Sequence, residues 1–185
     1  MNTIKIMAVG DIFLKTKNNK FPFENVKEIL KDKDILFGNL ETVLSNQGKE
    51  TEKAVSLHTS PDKVSYLKDA AFDILNVANN HIMDLGIEGF NETLNILAKN
   101  NINFIGARNN AKQDYIILEK QVIKLGFLGY SNSGLVLPEK NIWINKIELK
   151  TIIKDIEYIK QKCDFVIISL HWRIENVFLS IPPTD

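Results

Sequence analysis

Asp73-Ile74-Leu75-Asn76-Val77-Ala78-Asn79-Asn80-His81-Ile82-Met83-Asp84-Leu85-Gly86 passes from an apolar run to a polar turn within fourteen residues. Its first half is rich in Ile, Leu and Val without clean alternation, the pattern of a strand buried on both faces. It stops abruptly at two asparagines and a histidine. Open α/β sheets place their ligands at such carboxyl ends, because loops there are held by rigid strands yet face solvent. His81 is one of three histidines and follows Asn80, whose side-chain carbonyl can face a cation. The alternative is a polar loop whose Asn and His side chains satisfy nearby backbone groups.

Upstream, the pattern recurs. Residues 4–9 read as a strand running into Gly10-Asp11, and Ile35-Leu36-Phe37 as a strand running into Gly38-Asn39-Leu40-Glu41. In each case Gly permits a tight exit, and oxygen-bearing side chains follow as metal ligands or caps. Between them Phe21-Pro22-Phe23-Glu24 leads into a short amphipathic helix over 26–31. Residues 43–59 are polar without a period and read as a long loop near the site. His58, at its end, reads as solvated or locally bonded rather than as a substrate contact. Ser60-Pro61-Asp62 signals a helix start, with Ser60 as cap and Pro61 at the first helical position. The helix over 62–71 feeds the opening strand, residues 73–77.

Downstream, Ile87, Phe90, Leu94, Leu97 and Ala98 recur at helical spacing, and Lys99-Asn100-Asn101 closes that helix, since asparagine tolerates the left-handed conformation. A short strand follows at 102–105. Residues 115–118 and 122–130 form two apolar runs around Glu119-Lys120-Gln121, a β-hairpin, and 131–140 is a loop. Ile152, Ile153, Ile156 and Ile159 mark an amphipathic helix beginning near 147 and ending near Cys163. The strand over 165–170 then runs into His171-Trp172-Arg173-Ile174-Glu175. Strands alternating with helices predict an α/β domain spanning 1–185, with a mostly parallel sheet and helices on its faces.

Composition sets the bounds. At 185 residues, 44% apolar and 25% charged, the chain has the make-up of a soluble globular domain with a real core. Acidic and basic residues balance at 23 each, so no net field points to nucleic acid or anionic membrane. The single cysteine, Cys163, cannot form an internal disulfide and reads as an inert buried thiol in a reducing compartment. The amino terminus lacks a signal-peptide core, and no apolar run is long enough to span a bilayer, so the expected location is cytoplasmic. No glycine-rich phosphate loop follows the first strand, which disfavours a plain nucleotide-binding domain.

Asp11, Asn39 with Glu41, Asn80 with His81, and His171 thus lie just beyond the carboxyl ends of separate predicted strands. Carboxylate, amide oxygen and imidazole suit manganese, iron, zinc or magnesium, and a pair of such cations can clamp an oxyanion and activate water. With no cysteine among them, a closed structural zinc site is disfavoured.

Gly10-Asp11, Gly38-Asn39-Leu40-Glu41, Ala78-Asn79-Asn80-His81 with Asp84 and Gly86, and Leu170-His171-Trp172 with Glu175 resemble the CapA family. That is the capsule or poly-γ-glutamate biosynthesis group within the calcineurin-like metallophosphoesterase superfamily. The resemblance implies a metallo-dependent phosphatase-like α/β/β/α sandwich with two divalent metal ions in full-length members and one or none in this chain. Carried over, it makes Asp11, Asn80 and His171 metal ligands and puts Asn39 or Glu41 in the place of a bridging Asp. It also makes His81 a general acid or phosphate-holding group, with Asp84 orienting it. Arg173 and Glu175 become substrate contacts. The substrate is implied to be a small molecule or polymer reacting at a phosphoryl or glutamyl centre; the charge balance and the apolar pattern, not the resemblance, predict no nucleic acid partner and no membrane segment, unlike membrane-anchored family members.

Four departures accompany the resemblance. Phe13 stands where ordinary phosphoesterases have His, a difference the CapA group shares. Arg173 and Ala71 stand where the family has Gly. The chain resembles the amino-terminal part of the family domain, without its Gly-His-His-Pro-His region, and residues 180–185 read as a frameshifted tail. The alternative expectation is therefore a non-catalytic, truncated or phase-variable remnant or binding module, open to self-association through an exposed sheet edge.

Overall fold

The computed structural model describes residues 3–16, 20–53, 55–110 and 115–172. Arg173, Glu175 and the tail over 180–185 lie outside the described residues. The chain divides into two compact units, one made of residues 1–77 and 81–104, the other of residues 78–80 and 105–185.

The first unit carries β1 (Ile6–Ile12), α1 (Lys27–Lys31), β2 (Ile35–Leu40), β3 (Val43–Leu44), β4 (His58–Thr59), α2 (Val64–Asp69), β5 (Ile74–Asn76), α3 (Gly86–Lys99) and β6 (Asn103–Ile105). Among the described residues, β1, β2, β5 and β6 form a sheet in that order, with β1 parallel to β2 and β2 parallel to β5. The near-continuous burial of β2 and β5 follows from their unbroken apolar runs. Phe90, Leu94 and Leu97, on one face of α3, are buried at 2% exposure or less and supply part of the core beside Leu36, Leu40, Ile74 and Leu75.

Two helices of this unit end in the same way. At the close of α2 the Ala71 amide donates to Lys68 and the Phe72 amide to Leu67. After α3 the Asn101 amide donates to Ala98 and the Ile102 amide to Leu97. Both patterns are Schellman closures, which need a left-handed residue after the cap, and Ala71 and Asn101 both have φ of 57°. Asparagine closes α3 as its sequence predicts. Alanine at position 71 takes the same conformation, which is why a glycine suits that place.

The second unit carries β7 (Ala107–Arg108), β8 (Ile116–Lys120), β9 (Ile123–Ser131), β10 (Leu135–Leu137), β11 (Ile142–Ile144), α4 (Leu149–Ile159) and β12 (Phe165–His171). β8 and β9 form the expected antiparallel hairpin, and β12 lies parallel to β9 on its other side. Tyr130, Leu128, Tyr115, Ile152 and Ile159 form a core cluster beneath the apolar face of α4. Among the described residues β12 is an edge strand, with Phe165 60% exposed.

Four expectations are corrected. Instead of one mostly parallel sheet, the strands fall into separate sheets, because β8–β9 and β10–β11–β7 pair antiparallel. Gly10 and Gly38 lie inside β1 and β2 rather than at strand exits. A Cβ on Gly38 would come within 2.6 Å of Ile12 and 2.9 Å of Val9, so glycine is required there by close packing. The segments 43–59 and 131–140 hold short strands, with β3 parallel to β4 and β10 antiparallel to β11. Ser60 precedes a 3-10 turn, Pro61–Lys63, but makes no side-chain cap; its hydroxyl instead hydrogen-bonds the Asp62 carboxylate and, ahead of the nearby Lys63, holds it below its usual range.

Candidate functional site

The register of β1 against β2 decides where Asp11 stands. Ala8 pairs with Phe37 and Asp11 with Asn39, so β1 has one more residue than β2 across this interval. Such a bulge shifts the following side chains to the other face of the strand. Without it, Asp11 would pair with Leu40 and lie on the face opposite Asn39. The neighbouring register pairs Asn39 with Asn76, so three polar side chains line up across three adjacent parallel strands.

They bond to one another in that order. Asn39 Nδ2 donates to Asp11 Oδ1 at 2.7 Å, and Asn76 Nδ2 donates to Asn39 Oδ1 at 3.1 Å. Asn76 is fully buried and Asn39 is 7% exposed. Buried amides persist only when their donors and acceptors are met. Asn39 thus turns its nitrogen to Asp11 and its oxygen to Asn76, and holds the carboxylate in place. Glu41 follows β2, its amide donating to Ile12 O, and one of its carboxylate oxygens lies within 4.8 Å of one on Asp11. Two carboxylates at that separation repel unless a cation or a proton stands between them.

His81 and Asp84 form a second cluster in the same unit. His81 Nδ1 and Asp84 Oδ2 are 2.6 Å apart in the turn before α3. The Asp84 side chain is fully buried, and it also accepts from the Leu57 amide and from Lys53 Nζ, each at 2.7 Å. With Nδ1 as the donor to Asp84, the tautomer of His81 is set by this bond.

In the second unit Asn80 and His171 meet, although ninety-one positions apart in sequence: His171 Nε2 lies 2.9 Å from Asn80 Oδ1. His171 ends β12 opposite Ser131 of β9, and its carbonyl accepts from the Asn132 amide. Two donor atoms at that spacing match neighbouring ligands of one cation held at about 2.0–2.2 Å from each. Imidazole and amide oxygen are ligand types that suit a divalent metal ion, as are the carboxylates paired in the first unit.

Of the residues singled out from the sequence, Asp11, Asn39 and Glu41 are brought together, as are His81 with Asp84 and Asn80 with His171. Asn76 and Lys53 were missed. Asn76 carried a signal, being a lone amide inside an apolar strand, where buried polar groups are uncommon. Lys53 carried none, since it sits in a segment without periodicity. His58 bonds Glu50 at 2.9 Å on the surface, a local pairing. Cys163 is half-buried, donates to Ile159 O, and burial pushes its thiol up, consistent with an unreactive cysteine. Among the described residues no helix is long and apolar enough to cross a membrane.

Solved structures with this fold include a phosphatase from Mycoplasma pneumoniae, with a TM-score of 0.59 and 17% identity over 94% of this chain and 57% of that one. A putative 5'-nucleotidase from Staphylococcus aureus matches with a TM-score of 0.58 and 15% identity, over 96% of this chain and 39% of the other. Both share the α/β fold of this chain, the fold class that the sequence predicted. Among curated relatives, the PGA biosynthesis protein CapA of Bacillus subtilis is 31% identical over 90% of this chain and 48% of its own length. The capsule biosynthesis protein CapA of Bacillus anthracis is 28% identical over 93% of this chain and 47% of its own. The chain thus spans about half the length of these relatives. The family model described as bacterial capsule synthesis protein PGA_cap matches residues 5–180, and the chain belongs to that family.

Proposed function

We propose that this chain takes part in capsule or poly-γ-glutamate synthesis through a metal-dependent, phosphoesterase-like site at the carboxyl ends of its strands. The observation that carries the reading is the pairing of His171 with Asn80, two side chains the resemblance makes ligands and the fold places 2.9 Å apart. Asp11 and Glu41 support it with carboxylate oxygens held at close range. Glu41 suits a ligand role better than Asn39, whose amide nitrogen faces Asp11.

A divalent ion bound there would supply Lewis acidity toward a phosphoryl or acyl oxygen. The chain's own residues do the rest. Asp11 and Glu41 would be the ligands offered by the first unit and Asn80 and His171 those offered by the second, and Asn39 and Asn76 fix Asp11. His81, its Nδ1 bonded to Asp84, is the side chain this reading assigns to proton transfer or to holding a substrate oxygen. Arg173 and Glu175 belong to this reading as substrate contacts. The test is Mn²⁺-dependent cleavage of bis(p-nitrophenyl) phosphate by the full chain. The expected result is turnover that H81A and D11A each reduce by at least about 100-fold, the scale of a lost acid–base group. Absence of metal-dependent turnover contradicts the enzymatic reading and leaves a binding module.

A further inference from the structure

The Asp84 carboxylate is fully buried, and the donors it meets come from two separate segments of the first unit. Oδ2 takes His81 Nδ1 and the Leu57 amide, while Oδ1 takes Lys53 Nζ at 2.7 Å. The Asp84 backbone carbonyl also accepts from the Thr51 amide at 2.9 Å. Thr51, Lys53 and Leu57 are therefore fastened onto a residue that bonds His81.

A buried carboxylate is maintained only when its charge and lone pairs are both met. The Leu57 amide is neutral, and the imidazole carries charge only when doubly protonated. Lys53 brings a positive charge in either case, with its own side chain 35% exposed. We propose that Lys53 is a positioning residue for His81, acting through Asp84. By occupying Oδ1 it fixes the carboxylate so that Oδ2 receives the Nδ1 proton, which sets the ring's orientation and tautomer. The consequence for chemistry rests on the role given to His81 above; the contact itself does not depend on it. Because Lys53, Leu57 and the imidazole share one carboxylate, a displacement of Lys53 or Leu57 is transmitted to His81.

The test is proton exchange at His81 Nδ1, followed by NMR on the metal-free, ¹⁵N-labelled full chain. In K53M, exchange is expected to quicken by about tenfold or more, the factor expected when a charge-assisted hydrogen bond is weakened. K53R, which keeps a cationic donor, restores the wild-type rate, and the Leu75 amide in β5 is unchanged. An unaltered Nδ1 rate in K53M overturns the proposal, including the case where only the Leu57 amide loosens, which would make Lys53 a loop anchor. Should K53M fail to fold, K53Q replaces it: faster exchange than in K53R supports the proposal, and equal exchange overturns it. No metal is present, so failure of the metal-site reading and failure of this one are separately visible.

Discussion

The two ends of the parallel sheet in the first unit are both polar in sequence, yet they use polarity differently. At the amino ends, side chains serve backbone: Asp73 Oδ2 accepts from the Leu36 amide, Asp34 Oδ2 from the Lys5 amide, and Asn103 donates to the Asp73 carbonyl. At the carboxyl ends, side chains bond to side chains: Asp11, Asn39 and Asn76 in one chain, and His81, Asp84 and Lys53 in another. The amino-end bonds close strands and helices that the apolar pattern already dictates. The carboxyl-end bonds spend burial on polar groups that a purely structural turn would leave to water. Polarity directed inward at one edge, rather than polarity itself, distinguishes the edge of the proposed site.

That contrast can be broken most forcefully at Asp84. Replacing it by Ala leaves the Lys53 charge and the Leu57 amide without their shared acceptor, and a loss of about 3–5 kcal/mol in urea unfolding is expected. Asn76→Ala comes next: it strips Asn39 Oδ1 of its donor in a fully buried setting, with an expected loss of about 1–3 kcal/mol by the same measurement. At the amino end the expected effects are smaller, and one is favourable. Ala71→Gly relieves a left-handed alanine and should raise stability by about 0.5–1 kcal/mol, read as a higher denaturation midpoint. The Lys5–Asp32 pair is exposed on both sides, so Lys5→Met should cost at most about 0.5 kcal/mol, shrinking further in added salt. If Asp84→Ala and Asn76→Ala cost no more than Lys5→Met, the distinction between the two edges fails.

Much of this was legible in the sequence, for physical reasons that also explain the gaps. The apolar runs of β2, β5, β9 and β12 announce strands, and the 3.6-residue spacing of α3 and α4 announces helices, because burial enforces those periods. Asp84 beside His81 was readable because three residues separate them within one turn. The bulge in β1 was not: nothing in Ala8-Val9-Gly10-Asp11 states that one residue will be left over, yet that extra residue turns Asp11 toward Asn39. Gly38 was read as a strand exit because glycine usually marks one, whereas here it yields space to Ile12, Val9 and Phe72 across the fold. Lys53 was invisible for a related reason. Its partner lies thirty-one positions away, and only the folded chain brings the two together.

The proposed function requires that these strand ends bind a divalent cation. Calorimetric titration of Mn²⁺ into the metal-free full chain tests it most directly, with Asp11→Ala and His171→Ala beside the wild type. A saturable isotherm is expected for the wild type, and each substitution should abolish it or weaken binding by at least about tenfold, the scale of a lost ligand or its support. No saturable binding, or binding that neither substitution alters, would contradict it.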